Sequence, residues 1–241
     1  MNTQASKEPL MSTPVVITDV RKGTMWIRLN RPDAMNSLTP AVLRGIDHAL
    51  NEAQSRGDVI SVVLTGTGRA FCAGADLKYV KTQAGESGTS GFLDSVLSTM
   101  NRIDRFPKPV IAALNGITLA GGLELMIACD LVVANAGAKF GIPEVKRGLV
   151  AAAGGVMMLP DQIPERIAME LALTGDFIGA ERAYQLGLIN EVTEGSALDG
   201  AKALVMKDPR VASRAKTMDG FDSNIGKYTS LAYLEAEKEA F

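Results

Sequence analysis

Two glycine-rich turns have the residue types and spacing best suited to do chemistry in this sequence. They lie in residues 64–78 and 110–124, and in each an apolar segment leads through glycines into a predicted helix. Such turns leave backbone N–H groups unpaired at a helix N-terminus, where the macrodipole adds positive potential. Groups of this kind bind a phosphate or stabilise an oxyanion. The alternative is that the glycines only make tight turns and let a helix pack closely on a strand.

Neither turn has the pattern of a nucleotide-binding loop. A P-loop ends in Gly-Lys-Ser/Thr, which both turns lack. A dinucleotide-binding turn needs a third glycine where Phe71 stands, after Gly66 and Gly68. Both nucleotide-binding interpretations are therefore disfavoured.

Two glutamates follow the turns. Glu124 stands among Leu123, Leu125 and Met126, where an idle charge would be costly. Glu144 follows Pro143, a common place for an acidic residue at a helix start, so a purely structural role is also open. The two glutamates lie 20 positions apart, which is too far for one helix face. A strand and a loop must therefore bring them together if they act jointly.

The elements that position these residues alternate between strands and helices as far as Asn190, which predicts an α/β fold. A small, polar segment at 84–91 predicts a mobile loop. Apolar runs predict strands at 15–19, 25–29, 59–64, 109–114 and 131–134, and helical spacing or capping signals predict helices at 39–57, 92–103, 121–129, 164–173 and 179–186.

Composition excludes several classes of function. The net charge of −2 over 241 residues argues against a nucleic-acid binder. One histidine, His48, leaves little for a histidine metal site, and we expect no metal. Cys72 and Cys129 lie in small, apolar surroundings and are expected to be unpaired core residues. No apolar stretch approaches a membrane span, and the polar N-terminus lacks a signal-peptide pattern, so we expect a cytoplasmic protein without a membrane partner.

The motifs resemble a known family. Residues 69–78 (RAFCAGADLK) resemble the first signature of the enoyl-CoA hydratase/isomerase (crotonase) family, and Asn115-Gly116 with residues 120–125 resembles the second. Matches at 29–32, 140–144 and 174–192 extend the resemblance over Val15 to Val192. It implies a crotonase-like spiral of ββα units with a C-terminal helical trimerisation region. The implied parts are a flexible tail at 1–14, a catalytic core at 15–192 and a helical oligomerisation region at 193–241.

The resemblance also implies a reaction and its residues. The substrate would be an acyl-CoA thioester, with coenzyme A as part of the substrate and no separate cofactor. Backbone N–H groups of Ala75 and Gly121 would hold the thioester oxygen. Glu124 would orient and deprotonate a water, and Glu144 would exchange a proton with the α-carbon. The protein would be a homotrimer or a hexamer of two stacked trimers.

The resemblance places coenzyme A beside the first signature. Asp33 stands where the family often has a lysine, which weakens a basic clamp there, and Asp76 has the alternative role of a helix-start acid. The residues implied to bind coenzyme A or the acyl group are Arg31, Ser37, Ala73, Ala75, Asp76, Leu77, Lys78 and Gly121.

Alternatives remain within and outside this interpretation. An enoyl-CoA isomerase can use one carboxylate, and a carnitinyl-CoA-type dehydratase fits the unusual segment 150–153 and the stretch 159–164. A non-catalytic acyl-CoA-binding protein would bind thioesters without turnover. A serine hydrolase would need His48 beside a serine, but His48 lies off the apolar stripe of its helix and is expected to face solvent.

Overall fold

A computed structural model describes residues 13–82, 86–151 and 154–205. For residues 86–89 and 202–205 it describes the backbone only. Predictions for residues 1–12 and 206–241 lie outside the described residues. The elements are β1 (Val16–Arg21), β2 (Thr24–Leu29), α1 (Pro40–Ser55), β3 (Ser61–Gly66), β4 (Ala70–Cys72), α2 (Leu77–Thr82), α3 (Glu86–Asp104), β5 (Val110–Leu114), β6 (Ile117–Leu119), α4 (Gly121–Ile127), β7 (Leu131–Asn135), β8 (Lys139–Gly141), α5 (Gly155–Gln162), α6 (Glu165–Thr174), β9 (Ile178–Gly179), α7 (Ala180–Gln185), β10 (Glu191–Thr193) and α8 (Ala197–Val205), with 3₁₀ turns at Pro32–Ala34 and Pro143–Arg147.

The described strands form two sheets. One has six strands in the order β1-β2-β3-β5-β7-β10, and the other has four short strands in the order β4-β6-β8-β9. In the larger sheet β1 and β2 are antiparallel and the other neighbours are parallel. The pairs β3–β4, β5–β6 and β7–β8 each place one strand in each sheet before the chain enters a helix or turn. The predicted α/β fold and its ββα units are therefore confirmed.

Helix α1 begins as its sequence predicts. The Thr39 hydroxyl accepts a hydrogen bond from the Val42 N–H at 3.4 Å, and Pro40 occupies the first turn. The apolar stripe is buried against the larger sheet, and His48, off that stripe, is exposed. A serine hydrolase would need this histidine in an active site. Because His48 is exposed on α1, the structure does not support that alternative.

The loop predicted at 84–91 is wrong from Glu86 onward, because α3 runs from Glu86 to Asp104. Phe92, Val96, Met100 and Ile103 are buried at helical spacing and face the core that α1 also covers. Packing along this stripe outweighs the weak helix propensity of the glycines and serines at its start.

Helix α8 covers the opposite face of the larger sheet. Ala197 and Ala201 pack on Val63, Ile111 and Val133 in a second apolar cluster. Cys72 is buried and Cys129 half-buried, and neither cysteine is in a disulfide, as predicted. Among the helices described here, none is long and apolar enough to cross a membrane.

Candidate active site

One cavity of about 1390 Å³ opens where the two glycine-rich turns meet. Strands β4 and β6 pair in parallel, with Cys72 opposite Thr118, so the turns that follow them lie side by side. Every residue that the sequence analysis assigned to the site lines this cavity: Arg31, Ser37, Ala73, Ala75, Asp76, Leu77, Lys78, Gly121, Glu124 and Glu144.

The two turns touch at Gly74. A Cβ at this position would lie 2.6 Å from the Ala120 Cβ and 3.0 Å from the Gly121 nitrogen, and the φ of +87° is in the left-handed region. Only glycine permits both this backbone conformation and this contact. The approach brings Ala75 and Gly121 to the same wall of the cavity.

The N–H groups of Ala75 and Gly121 are available to a ligand. Leu38 donates to the Gly74 carbonyl at 2.8 Å and accepts from the Asp76 N–H at 2.9 Å, so the intervening Ala75 N–H points away from Leu38. Gly121 is the first residue of α4 and has no acceptor in a preceding helical turn. Neither N–H donates a hydrogen bond within the described part of the chain. The pair is the geometry expected of an oxyanion hole.

Glu124 is held in the first turn of α4 and is 2% exposed. Its Oε1 accepts a hydrogen bond of 2.7 Å from the N–H of Gly155, the first residue of α5. The positive end of α5 therefore faces this carboxylate. The Oε2 atom lies 3.5 Å from where a Cβ on Gly121 would be, close to the proposed oxyanion donors.

Glu144 enters the cavity from the 3₁₀ turn Pro143–Arg147, which follows β8 and is here named the Glu144 turn. Its Oε2 is buried and has no hydrogen-bond partner within the described residues. Burial raises the pKa of this carboxyl group, against smaller opposite effects from a hydrogen bond with its own backbone N–H and from the charge of Arg147. Glu144 therefore holds a proton more readily than an exposed glutamate does.

Asp76 has a structural role beside the cavity. Its Oδ1 accepts from the N–H groups of Lys78 and Tyr79 at 3.1 and 3.2 Å, and its Oδ2 pairs with Arg31 at 2.8 Å. Burial by itself would raise the pKa of Asp76, but the Arg31 hydrogen bond and charge, with the Tyr79 and Lys78 N–H groups, lower it overall. Asp76 thus caps the start of α2, and its predicted contact with coenzyme A stays a prediction.

Some of the other residues assigned to the site hydrogen-bond within the protein, and others are exposed to solvent. Arg31 also donates to the Ser37 carbonyl at 2.7 Å, and the Ser37 hydroxyl donates to the Ala34 carbonyl at 2.7 Å. Leu77 and Lys78 are exposed at the cavity rim. The structure thus places all of them at the cavity but ties Arg31 and Ser37 to the protein itself.

Comparison with known proteins decides the family. The profile described as enoyl-CoA hydratase/isomerase matches residues 19–234. The chain belongs to the enoyl-CoA hydratase/isomerase family. The family assignment and the hydro-lyase class predicted from the sequence are both confirmed.

Three similar members of the family have informative names. The chain is 38% identical over 184 residues to (E)-benzylidenesuccinyl-CoA hydratase of Thauera aromatica, covering 76% of this chain and 71% of that protein. It is 33% identical over 222 residues to short-chain-enoyl-CoA hydratase of Clostridium acetobutylicum, covering 89% and 83%. The solved structure of a carnitinyl-CoA dehydratase from Mycobacterium avium is 40% identical, with a TM-score of 0.80 over 95% of this chain and 92% of that one.

The contacts of three residues that shape this family member's site are missed by sequence reasoning. The glycines at 154–155 resemble a family motif, but the hydrogen bond from Gly155 to Glu124 spans 31 residues and has no local signal. Asn36 and Asn115 both donate to the Ala70 carbonyl, at 2.7 and 2.9 Å, and so fix β4 ahead of the first turn. Asparagines beside glycine turns are the sequence feature that could have indicated this role.

Proposed function

We propose that this protein adds water reversibly to 2-trans-enoyl-CoA thioesters and forms 3-hydroxyacyl-CoA. The observation that carries the proposal is that Glu124, Glu144 and the free N–H groups of Ala75 and Gly121 line one cavity. Two carboxylates and two oxyanion donors are the groups that conjugate hydration requires.

The reaction can be written with these groups alone. The N–H groups of Ala75 and Gly121 hold the thioester oxygen as negative charge develops on it. Glu124 takes a proton from water while the hydroxyl oxygen bonds to the β-carbon. Protonated Glu144 gives its proton to the α-carbon, and proton exchange with solvent restores both carboxyl groups. The hydrogen bond from Gly155 orients Glu124 for the first step.

Removal of water from a carnitinyl-type thioester is the second candidate. The 40% identity to a carnitinyl-CoA dehydratase favours it, since dehydration is the same chemistry in reverse. An isomerase needs only one of the two carboxylates, so the presence of both in one cavity favours hydration. Coenzyme A is part of every one of these substrates, and no separate cofactor enters the proposed reaction.

The decisive experiment follows the ultraviolet absorbance of 2-trans-butenoyl-CoA in the presence of the protein. Loss of the conjugated-thioester absorbance, with none for saturated butyryl-CoA, is the expected result. Tight binding of both thioesters with unchanged absorbance would support a non-catalytic binding protein instead. The homotrimer or hexamer rests on the family resemblance and stays a prediction, which light scattering tests.

A further inference from the structure

The Glu144 turn carries a second ionisable group into the cavity. Residues three apart in a 3₁₀ helix lie above one another, so Glu144 and Arg147 share one side of the turn. Both line the cavity. Lys146 takes another direction, because its Nζ pairs with Asp176 at 2.8 Å and lies 5.6 Å from the centre of the Phe177 ring. Arg147 therefore lines the cavity, whereas Lys146 lies beside Asp176 and Phe177.

Arg147 has no ionic partner in the described part of the chain. No hydrogen bond or ion pair joins its side chain to another described residue. Its charge nevertheless acts on Glu144, the group proposed to protonate the α-carbon. Arg147 is exposed where it lines the cavity, and its charged guanidinium is open to bind an anion there.

The other residues beside it would suit an acyl chain. Leu149 and Val150 follow in sequence and line the cavity, as do Phe92 and Val96 of α3. Arg31, Arg69 and Lys78 also line it, but they come from segments at or before the first turn, and Arg31 is paired with Asp76. An acyl chain ending in methyl would bury its carbons here and leave the Arg147 guanidinium without a counter-ion.

We propose that Arg147 selects acyl groups that carry a carboxylate beyond the double bond, so that the preferred substrates are CoA thioesters of unsaturated dicarboxylic acids. This inference rests on the proposed hydratase function. A guanidinium matches a carboxylate with two parallel hydrogen bonds, which gives both affinity and orientation. A bound carboxylate would also offset the Arg147 charge that acts on Glu144, and so would favour the proton-bearing form that the reaction needs.

The test compares 2-trans-hexenedioyl-CoA, which ends in a carboxylate, with 2-trans-hexenoyl-CoA, which has the same chain length and ends in methyl. We expect the wild type to have the higher kcat/KM for the dicarboxylic substrate. We define the selectivity ratio as kcat/KM for the dicarboxylic substrate divided by kcat/KM for the methyl-ended one. Arg147→Gln should lower this ratio by about ten- to a hundredfold, the range for a charge-assisted hydrogen bond. Arg147→Lys should give an intermediate ratio, because it keeps the charge and loses the paired geometry.

Lys146→Gln is the matched control, since it makes the same change of charge one residue away and outside the cavity. It should leave the ratio within about threefold of wild type, as expected for a surface pair. A wild-type preference for the methyl-ended substrate, or an unchanged ratio in Arg147→Gln, would overturn the proposal. Should Arg147→Gln not fold, the wild-type ratio must still fall as salt is raised, because salt screens exposed charge pairs.

Failure of the proposed function gives a different result. In that case the wild type hydrates neither thioester. Calorimetry with the saturated adipyl-CoA and hexanoyl-CoA then compares their affinities in the wild type, Arg147→Gln and Lys146→Gln. Tighter binding of adipyl-CoA that is lost only in Arg147→Gln would uphold the charge selectivity, and equal affinities throughout would refute it.

Discussion

The backbone N–H of Gly155 donates a hydrogen bond to Oε1 of Glu124 over 2.7 Å, although 31 residues separate them. This contact joins the start of α5 to the first turn of α4, so the orientation of Glu124 depends on where α5 begins. A Cβ at position 155 would lie 2.9 Å from the same oxygen and 3.1 Å from the Ala151 Cβ. The site therefore requires glycine here for its approach to Glu124.

Gly155→Ala should lower kcat far more than it raises KM. The added methyl displaces the Glu124 carboxylate, and a displacement of about 1 Å in a catalytic group can cost about 10²-fold in rate. Gly179→Ala is the control, since a Cβ there meets nothing within 4 Å. Steady-state hydration kinetics on both variants, with thermal unfolding to compare their stability, check this. Equal kcat in the two variants would show that the Gly155 contact does not orient Glu124.

The larger sheet is readable from the sequence because its central strands, such as Val110–Leu114, are continuous apolar runs buried on both faces. The smaller sheet is not, because strands of two or three residues such as Ala70–Cys72 have no measurable period. Those short strands set the two turns side by side. The resemblance supplied the site residues, while their joint placement depends on pairing that local sequence does not encode.

The segments that sequence reasoning placed wrongly or overlooked have a common cause. Small polar residues at 84–91 favour a loop locally, yet the stripe from Phe92 to Ile103 extends α3 back to Glu86. The shared direction of Glu144 and Arg147 depends on the turn being 3₁₀, which no residue pattern specifies. In each case a tertiary contact or the exact type of turn determines the structure, and the local sequence does not.

Gly74→Ala should separate the two turns and weaken the oxyanion hole. The new Cβ would press on Ala120 and on the Gly121 nitrogen, and the loss of one such donor costs about 10²–10³-fold in kcat. Gly187→Ala is the matched control, because its φ of +81° is equally left-handed but nothing lies within 4 Å of a Cβ there. Backbone strain alone therefore acts in both variants. Similar kcat losses in the two would assign the effect to strain and not to the contact.

Asp76→Ala should destabilise the protein more than Asp76→Asn. Alanine removes the cap of α2 and the partner of Arg31 together, at a cost of about 2 kcal/mol in free energy of unfolding. Asparagine can still accept from the Lys78 and Tyr79 N–H groups and loses mainly the ion pair. Urea unfolding of the three proteins measures the difference. Equal stability of the two variants would mean that the cap contributes nothing.

Glu144→Gln should raise stability at alkaline pH while it lowers activity. Burial raises the folded-state pKa of Glu144 above its ordinary 4.5, so the folded state binds more protons than the unfolded state between the two values. Stability of the wild type therefore falls as pH rises from about 4.5 through the raised pKa. The Glu144→Gln variant has no ionisable group at this position, so its stability does not fall for this reason. The variant's Tm should exceed the wild type's at pH 8 and match it near pH 4.

Exposed Glu170 on α6 supplies the control for this prediction. Glu170→Gln should give a Tm difference from wild type that does not grow between pH 4 and pH 8. A Glu144→Gln difference that is constant across the same range would show that burial does not penalise the ionised carboxylate.

The two carboxylates should act as a unit in hydration. Glu124→Gln and Glu144→Gln nearly preserve volume and remove proton-transfer capacity, so each should lower kcat by about 10²–10⁴-fold. KM should move less, because contacts with coenzyme A remote from the double bond supply most of the binding. Since both groups serve one addition of water, the double variant should lose less than the product of the single losses.

An isomerase would behave differently, with one substitution nearly silent for double-bond migration. Near-normal hydration by Glu144→Gln, or strictly multiplicative losses, would reduce Glu144 to a helix-start acid and refute the two-glutamate mechanism.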